Sequence, residues 1–324
     1  MKLYSIVILF LFNEVSYIST SDGDRSPYYQ KCVKKCLAET CKTDGYYFKN
    51  SAQLNFWSKL LWNCRDECRY NCMWRTVQTF QERGYLIPKF HGKWPFVRVY
   101  GIQEPGSVLA SLLNLAAHIY MYTEIMRRFT IKGTPLVLFW HIFVAVCINA
   151  WIWSTIFHTR DTQFTEFMDY ACALSMVMGL FVAAVVRAFH RQRKLVSVIL
   201  VASLLFYATH VQYLYRGIVN YDYNMMVNLA FGVAGSLVWL CWAGVQMLAG
   251  RRHAWRMGAF TVASGATLAL ELMDFPPLFT AWDAHALWHL ATAPLPLLFY
   301  RFVIDDLYYL QSTKHSDKTN LKLT

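Results

Sequence analysis

Polar and apolar positions are intermixed up to about residue 104 and then separate into long apolar runs. Seven runs have spanning length, at roughly 106–126, 134–157, 167–187, 195–215, 224–248, 255–275 and 284–304. A stretch of about 20 predominantly apolar residues is what a helix needs to cross a bilayer, so the pattern predicts seven transmembrane helices. The first 20 residues differ in kind. Lys2 gives a positive start, Leu3–Phe12 a short apolar core, and Ser19, Thr20 and Ser21 a small-residue cleavage region. That core is too short to span and reads as a signal peptide. The expected organisation is a signal peptide at 1–20, a lumenal domain at 21–104, a seven-helix domain at 105–304 and a polar, disordered cytosolic tail at 305–324.

Composition supports a membrane domain. Hydrophobic residues make up 56% of the 324 and charged residues 16%, an excess that needs a non-aqueous surrounding. The net charge of +11 fits positive-inside topology and anionic headgroups, and no arginine-rich arm or nucleic-acid motif is present. With the N-terminal domain in the lumen, the loops after the first, third and fifth spans face the cytosol. They hold Arg127, Arg128, Lys132, Arg187, Arg191, Arg193, Lys194, Arg251, Arg252 and Arg256. The lumenal loops hold only Arg160 and Arg216. This asymmetry gives the same orientation as the signal peptide.

Six of the nine cysteines fall in the N-terminal domain: Cys32, Cys36, Cys41, Cys64, Cys68 and Cys72. In an oxidising compartment they predict three disulfides, with the pairing left open. The four-residue spacings put Cys32 with Cys36, and Cys64 with Cys68 and Cys72, on single helix faces. A zinc site is the rival reading, although the spacings are not those of common ribbons or fingers. The fold class is therefore an all-α membrane protein, a seven-transmembrane helix bundle with an N-terminal disulfide-rich lumenal head.

Ionisable residues in membrane helices mark functional sites by default. Here they gather where three spans reach the lumenal boundary: Ser154, His158 and Asp161 near the end of the second, Asp169 at the start of the third, and Asp283, His285 and His289 at the start of the seventh. His285 and His289 share a helix face, as do Ser154 and His158. Two facing helices can bring three imidazoles to one point, a common catalytic zinc shell that lowers the pKa of water to about 7. Asp169 is the candidate proton acceptor and Ser154 a hydrogen-bond donor to the water or a developing oxyanion. His118, His141, His190, His210 and His253 read as interfacial or packing residues.

Ser154-x3-His158, Asp169 eleven residues on, and His285-x3-His289 on the last span resemble the seven-helix CREST hydrolase superfamily, which includes alkaline ceramidases and adiponectin-receptor-like proteins. That resemblance implies Zn2+ on His158, His285 and His289, with Ser154 and Asp169 assisting catalysis. Longer strings are similar to the branch that remodels GPI anchors: Gln103-Glu-Pro-Gly-Ser-Val-Leu, Trp153-Ser-Thr-Ile-Phe-His-Thr-Arg-Asp161, Glu271-Leu-Met-Asp274-Phe-Pro-Pro and Asp283-Ala-His285-Ala-Leu-Trp-His289. Gly106 stands where a small residue such as Ala is expected. The branch implies a Golgi phospholipase A2 that removes the sn-2 acyl chain from GPI-anchored proteins on the lumenal side, among membrane lipids. The alternatives are a ceramidase-like amidase and a seven-helix receptor with a structural polar cluster.

Overall fold

The computed structural model describes residues 21–50, 56–216 and 220–323. The expected signal peptide lies outside the described residues. Two compact units divide at Pro95 and Phe96, nine residues before the expected boundary at 104. The shift has a reason: residues 97–104 are hydrogen-bonded into the second unit, through Val97 N–H to Thr280 O and Gln103 N–H to Thr159 O.

The first unit holds helices α1 (Asp22–Arg25), α2 (Pro27–Thr40), α3 (Phe56–Leu61) and α4 (Cys64–Glu82). Proline opens α2, where its missing N–H is no loss. The side chain of Asn63 caps α4 by accepting from Asp66 N–H at 2.9 Å, and Asp66 and Glu67 complement the helix dipole. The disulfides are Cys32–Cys72, Cys36–Cys68 and Cys41–Cys64, each with Cα atoms 5.7 Å apart. This nested order joins the start of the α2 series to the end of the α4 series. It takes up all six thiols and so removes the rival zinc reading. Tyr29, Val77 and Phe90 pack beside the ladder. Burial, with Asp24 nearby, pushes the Tyr29 hydroxyl up to about 12.

The second unit is helical throughout: α5 (Pro105–Arg128), α6 (Val137–Thr159), α7 (Gln163–Ala188), α8 (Arg193–Tyr215), α9 (Tyr221–Leu248), a 3-10 turn at Arg252–Ala254, α10 (Trp255–Glu271), α11 (Ala284–Thr292) and α12 (Leu295–Leu323). Among the described residues no strand occurs, only isolated bridges such as Val99 with Ile102. The helices α5, α6, α7, α9 and α10 pack in sequence, and α11 and α12 close the arrangement against α5 and α10. The helix α8 packs on α7 and exposes Val198, Val201, Leu204 and Leu205, the outward apolar face expected of a lipid-facing helix. The core is aromatic, with Trp140 edge-on to Phe143 and Phe299, and Trp239 and Trp242 edge-on to Phe302.

Five of these helical segments are long and apolar enough to cross a membrane: Val137–Thr159, Gln163–Ala188, Arg193–Tyr215, Tyr221–Leu248 and Ala284–Thr313. The other two expected spans form helices α5 and α10 but do not meet that standard. The reason in α5 is a buried polar stripe of Ser107, Ser111, Asn114 and His118, and α10 has only 17 residues. The seventh expected span is interrupted around Ala293 and Pro294, between α11 and α12. The tail expected to be disordered from residue 305 instead continues α12 to Leu323.

That continuation buries Asp306 completely. Its carboxylate accepts from Arg187 Nε at 2.6 Å and Nη2 at 2.7 Å, and lies 3.2 Å from His253 Nε2. The Arg187 guanidinium also covers the Trp242 ring at 4.7 Å. This knot ties α7, α9 and α12 together at the ends of the helices remote from the histidine cluster. Arg187 is thus a packing residue and not only a topology charge. The remaining histidines follow suit. His118 bonds Tyr300 Oη at 2.8 Å and His210 bonds Asn224 Oδ1 at 3.3 Å, both buried.

Candidate metal-binding site

The end of α6 meets the start of α11. His158 lies in the last turn of α6, and His285 and His289 lie one turn apart on α11. The side chain of Asp283 caps α11 by accepting from Ala286 N–H at 2.8 Å, which fixes the helix start two residues before His285. Potential ligand atoms of the three histidines lie within 4.8 Å of one another. The ring centroids are 5.2 Å apart for His158–His285 and for His158–His289, and 4.5 Å for His285–His289.

Each imidazole is held at Nδ1. His158 Nδ1 is 2.7 Å from Glu104 Oε2, and His285 Nδ1 is 2.7 Å from Glu271 Oε2. An ionised carboxylate only accepts, so both Nδ1 atoms carry the proton, and in the neutral imidazole Nε2 then presents its lone pair. His289 Nδ1 is 3.1 Å from Ser111 Oγ, and Asn114 Nδ2 donates to the His289 carbonyl at 2.8 Å. Tyr221 Oη donates in turn to Glu271 Oε1 at 3.2 Å. This is the outer arrangement that fixes tautomer and ring plane in metal-ligating histidines.

The inner atoms fit a cation. His158 Nε2 is buried and has no hydrogen-bond partner, which is costly for an imidazole nitrogen. His285 Nε2 and His289 Nε2 approach to 2.9 Å, a separation that needs a shared proton or metal ion between them. Three imidazole nitrogens, with carboxylates outside them, suit zinc.

Ser154 is buried one turn along α6 from His158, and its Oγ is 3.0 Å from Ser111 Oγ. Asp169 is half-buried on α7 and is not part of the three-histidine group. Asn149 Nδ2 on α6 donates to Cys172 Sγ on α7. Cys172 lies three residues along α7 from Asp169. Asp161 is half-buried at the α6–α7 turn, where its N–H donates to Gln103 Oε1 at 3.0 Å.

Glu104, Glu271 and Ser111 were not assigned roles from the sequence. A carboxylate next to an apolar run was the available signal for the first two. For Ser111 the signal was its place on one face with Ser107, Asn114 and His118. Gly106 also acquires a reason: a Cβ there would lie 2.2 Å from the Ala281 carbonyl oxygen. Alanine, the expected small residue, does not fit, and glycine lets α5 sit against the loop that leads into α11.

Known proteins give the same grouping. The profile of the Per1-like family matches residues 56–307. The chain is 41% identical over 310 residues to Post-GPI attachment to proteins factor 3 of Drosophila melanogaster, covering 94% of both chains. It is 41% identical over 309 residues to the GPI-specific phospholipase A2-like PGAP3 of Danio rerio, covering 94% of this chain and 95% of the other. The relative of the same name in Homo sapiens is 38% identical over 306 residues, covering 94% of both. With this match over most of its length, the chain belongs to the Per1-like family.

Proposed function

We propose that this protein is a metal-dependent lipid hydrolase of GPI-anchor remodelling, a phospholipase A2 that releases the sn-2 acyl chain from the lipid of GPI-anchored proteins. The observation that carries the chemistry is the convergence of His158, His285 and His289 with every Nδ1 held from outside. The relatives' names support the substrate class, since they refer to GPI attachment and a GPI-specific phospholipase.

A Zn2+ on the three imidazoles would supply a Lewis acid that polarises the acyl carbonyl and makes water more acidic. Glu104 and Glu271 keep His158 and His285 in the tautomer that leaves Nε2 free. Ser111 accepts from His289 Nδ1–H and donates its own O–H in a hydrogen bond to Ser154 Oγ. Ser154 O–H is then left to donate to the carbonyl oxygen as it gains charge. Asp169 accepts the proton of the attacking water. The water oxygen adds to the sn-2 carbonyl carbon and the ester C–O bond breaks. The proton goes to the glycerol oxygen, giving free fatty acid and a lyso-lipid. No strand-to-helix nucleophile elbow carries Ser154, which supports direct attack by water over an acyl-serine.

The proposed setting is the Golgi membrane, with seven spans and the site on the lumenal side. It rests on the loop charge asymmetry and on the helix ends that carry the histidines. The test of function is purified protein incubated with a GPI-anchored protein. Stoichiometric release of fatty acid from the sn-2 position is expected, and an intact lipid after prolonged incubation with metal-loaded protein overturns the reading. For topology, a tag placed after Thr324 should be cut by protease added outside intact microsomes while the disulfide unit stays protected. A protected tag refutes the span count.

A further inference from the structure

The disulfide unit contains a second feature that the hydrolase chemistry does not use. A cavity of about 330 Å³ is lined by Leu37, Ala38, Cys41, Lys42, Thr43, Gly45, Lys49 and Arg65. Three of these side chains are cationic and none is acidic. Among the described residues, none of the three forms an ion pair with a carboxylate. Lys49 Nζ donates to the Ala38 carbonyl, and Lys42 lies 5.8 Å above the Tyr47 ring. The acidic residue next in the chain, Asp44, is bound mainly by backbone: the Tyr46 and Tyr47 amides donate to its Oδ1 at 2.8 and 3.2 Å and, with a smaller contribution from the Lys42 charge, hold its carboxyl below the usual carboxylate range.

The cations stand on a rigid frame. Cys41, which lines the cavity, is fixed by its disulfide to Cys64. Lys42 N–H bonds Tyr47 O at 2.8 Å and Lys49 N–H bonds Thr40 O at 2.9 Å, closing the loop between α2 and the start of α4. Cys64 N–H to Tyr46 O and Arg65 N–H to Gly45 O tie that loop to α4. Gly45 sits at φ +69°, and a Cβ there would lie 2.7 Å from Arg65 Nη2. The loop therefore needs glycine both for its backbone and for the place of the guanidinium. A fork of N–H donors beside two ammonium groups in one recess is the arrangement that recognises phosphate oxygens.

We infer that this cavity is a binding site for a phosphate ester, held by Arg65 with Lys42 and Lys49. A GPI lipid contains phosphate esters, so on the proposed function the ligand is a phosphate of the substrate. The binding itself does not depend on that reading.

The experiment measures binding of three soluble probes to the full-length protein in detergent by titration calorimetry: O-phosphoethanolamine, sn-glycero-3-phosphoinositol and inorganic phosphate. At least one ester should bind more tightly than inorganic phosphate, and raised ionic strength should weaken it. The triple variant K42Q/K49Q/R65Q should lose at least tenfold in affinity. A control, K31Q/K34Q/R75Q, removes the same charge from exposed positions outside the cavity and should bind as before. Single R65Q gives a milder variant if the triple one folds poorly, and intact disulfides by mass spectrometry report folding in each. Equal loss in the control, preference for inorganic phosphate, or no ester binding by the unaltered protein overturns the proposal. A bound ester with no fatty-acid release would leave this site standing and count against the proposed hydrolase alone.

Discussion

Glu104 and His158 are joined twice: the Glu104 backbone N–H donates to the His158 carbonyl at 3.0 Å, and the Glu104 carboxylate accepts from His158 Nδ1 at 2.7 Å. Glu104 also directly precedes the proline that opens α5. One residue thus fixes the approach of α5 to the end of α6 and the tautomer of an imidazole in the cluster. Replacing it by Gln keeps a similar shape but removes the charge that favours Nδ1–H. Glu104→Gln should weaken metal retention by about 10–100-fold, the usual effect of losing an outer carboxylate. Competition against a chelator, followed by metal analysis, checks it. Unchanged retention would mean that the carboxylate serves packing alone.

The serine pair separates metal binding from catalysis. Ser154→Ala should keep its metal and lose roughly 10²–10³ in rate, the effect of one oxyanion donor. Ser111→Ala removes the hydrogen-bond partner of His289 Nδ1 as well as that of Ser154. It should lower both metal retention and rate, while His289→Ala abolishes both. Single-turnover rates measured beside metal content distinguish the three. A covalent acyl adduct on Ser154 in quenched enzyme would overturn direct attack by water.

The convergence of His158, His285 and His289 was legible because the spacing of His285 and His289, and of Ser154 and His158, follows directly from the helical repeat. What lay outside that repeat was not. Glu104 and Glu271 reach the histidines across 54 and 14 residues of chain, and nothing local in the sequence says which imidazole each carboxylate meets. The cysteine series predicted disulfides but not their order, which needed the antiparallel direction of α2 and α4. Polarity misled in one place. Asp305 and Asp306 read as the start of a solvated tail, whereas Arg187, 119 residues earlier, supplies the charge that keeps Asp306 inside.

The disulfide ladder should be additive only in part. Each bridge closes a loop in the unfolded chain, with stabilisation of roughly 2–5 kcal/mol. Cys36–Cys68 is the middle rung, flanked on both sides, so Cys36→Ser with Cys68→Ser should be milder than removing Cys41–Cys64, which also frames the basic cavity. Cys64→Ser alone should lower the yield of folded protein. Peptide mapping under non-reducing conditions should find the nested pairing, and six free thiols would refute it.

The Arg187–Asp306 pair makes a last prediction in which the direction of the change identifies the cause. Both side chains are almost wholly buried, at 4% and 0% exposure. Breaking such a pair leaves one uncompensated charge in a low-dielectric interior, at a cost of about 3–5 kcal/mol. Asp306→Asn and Arg187→Met should each destabilise the protein strongly, and Asp306→Asn should be the more harmful because Arg187 then keeps its charge beside Trp242 and faces His253 without its carboxylate. Replacing both, with Arg187→Met and Asp306→Leu, removes the charges together and should recover much of the loss. Thermal unfolding in detergent, measured for the two single variants and the double, tests this. Additive destabilisation in the double variant would mean that the two residues contribute through shape and packing and not as a charge pair. The histidine cluster lies at the other ends of these helices, so the double variant should also retain its metal, which separates loss of the bundle from loss of the site.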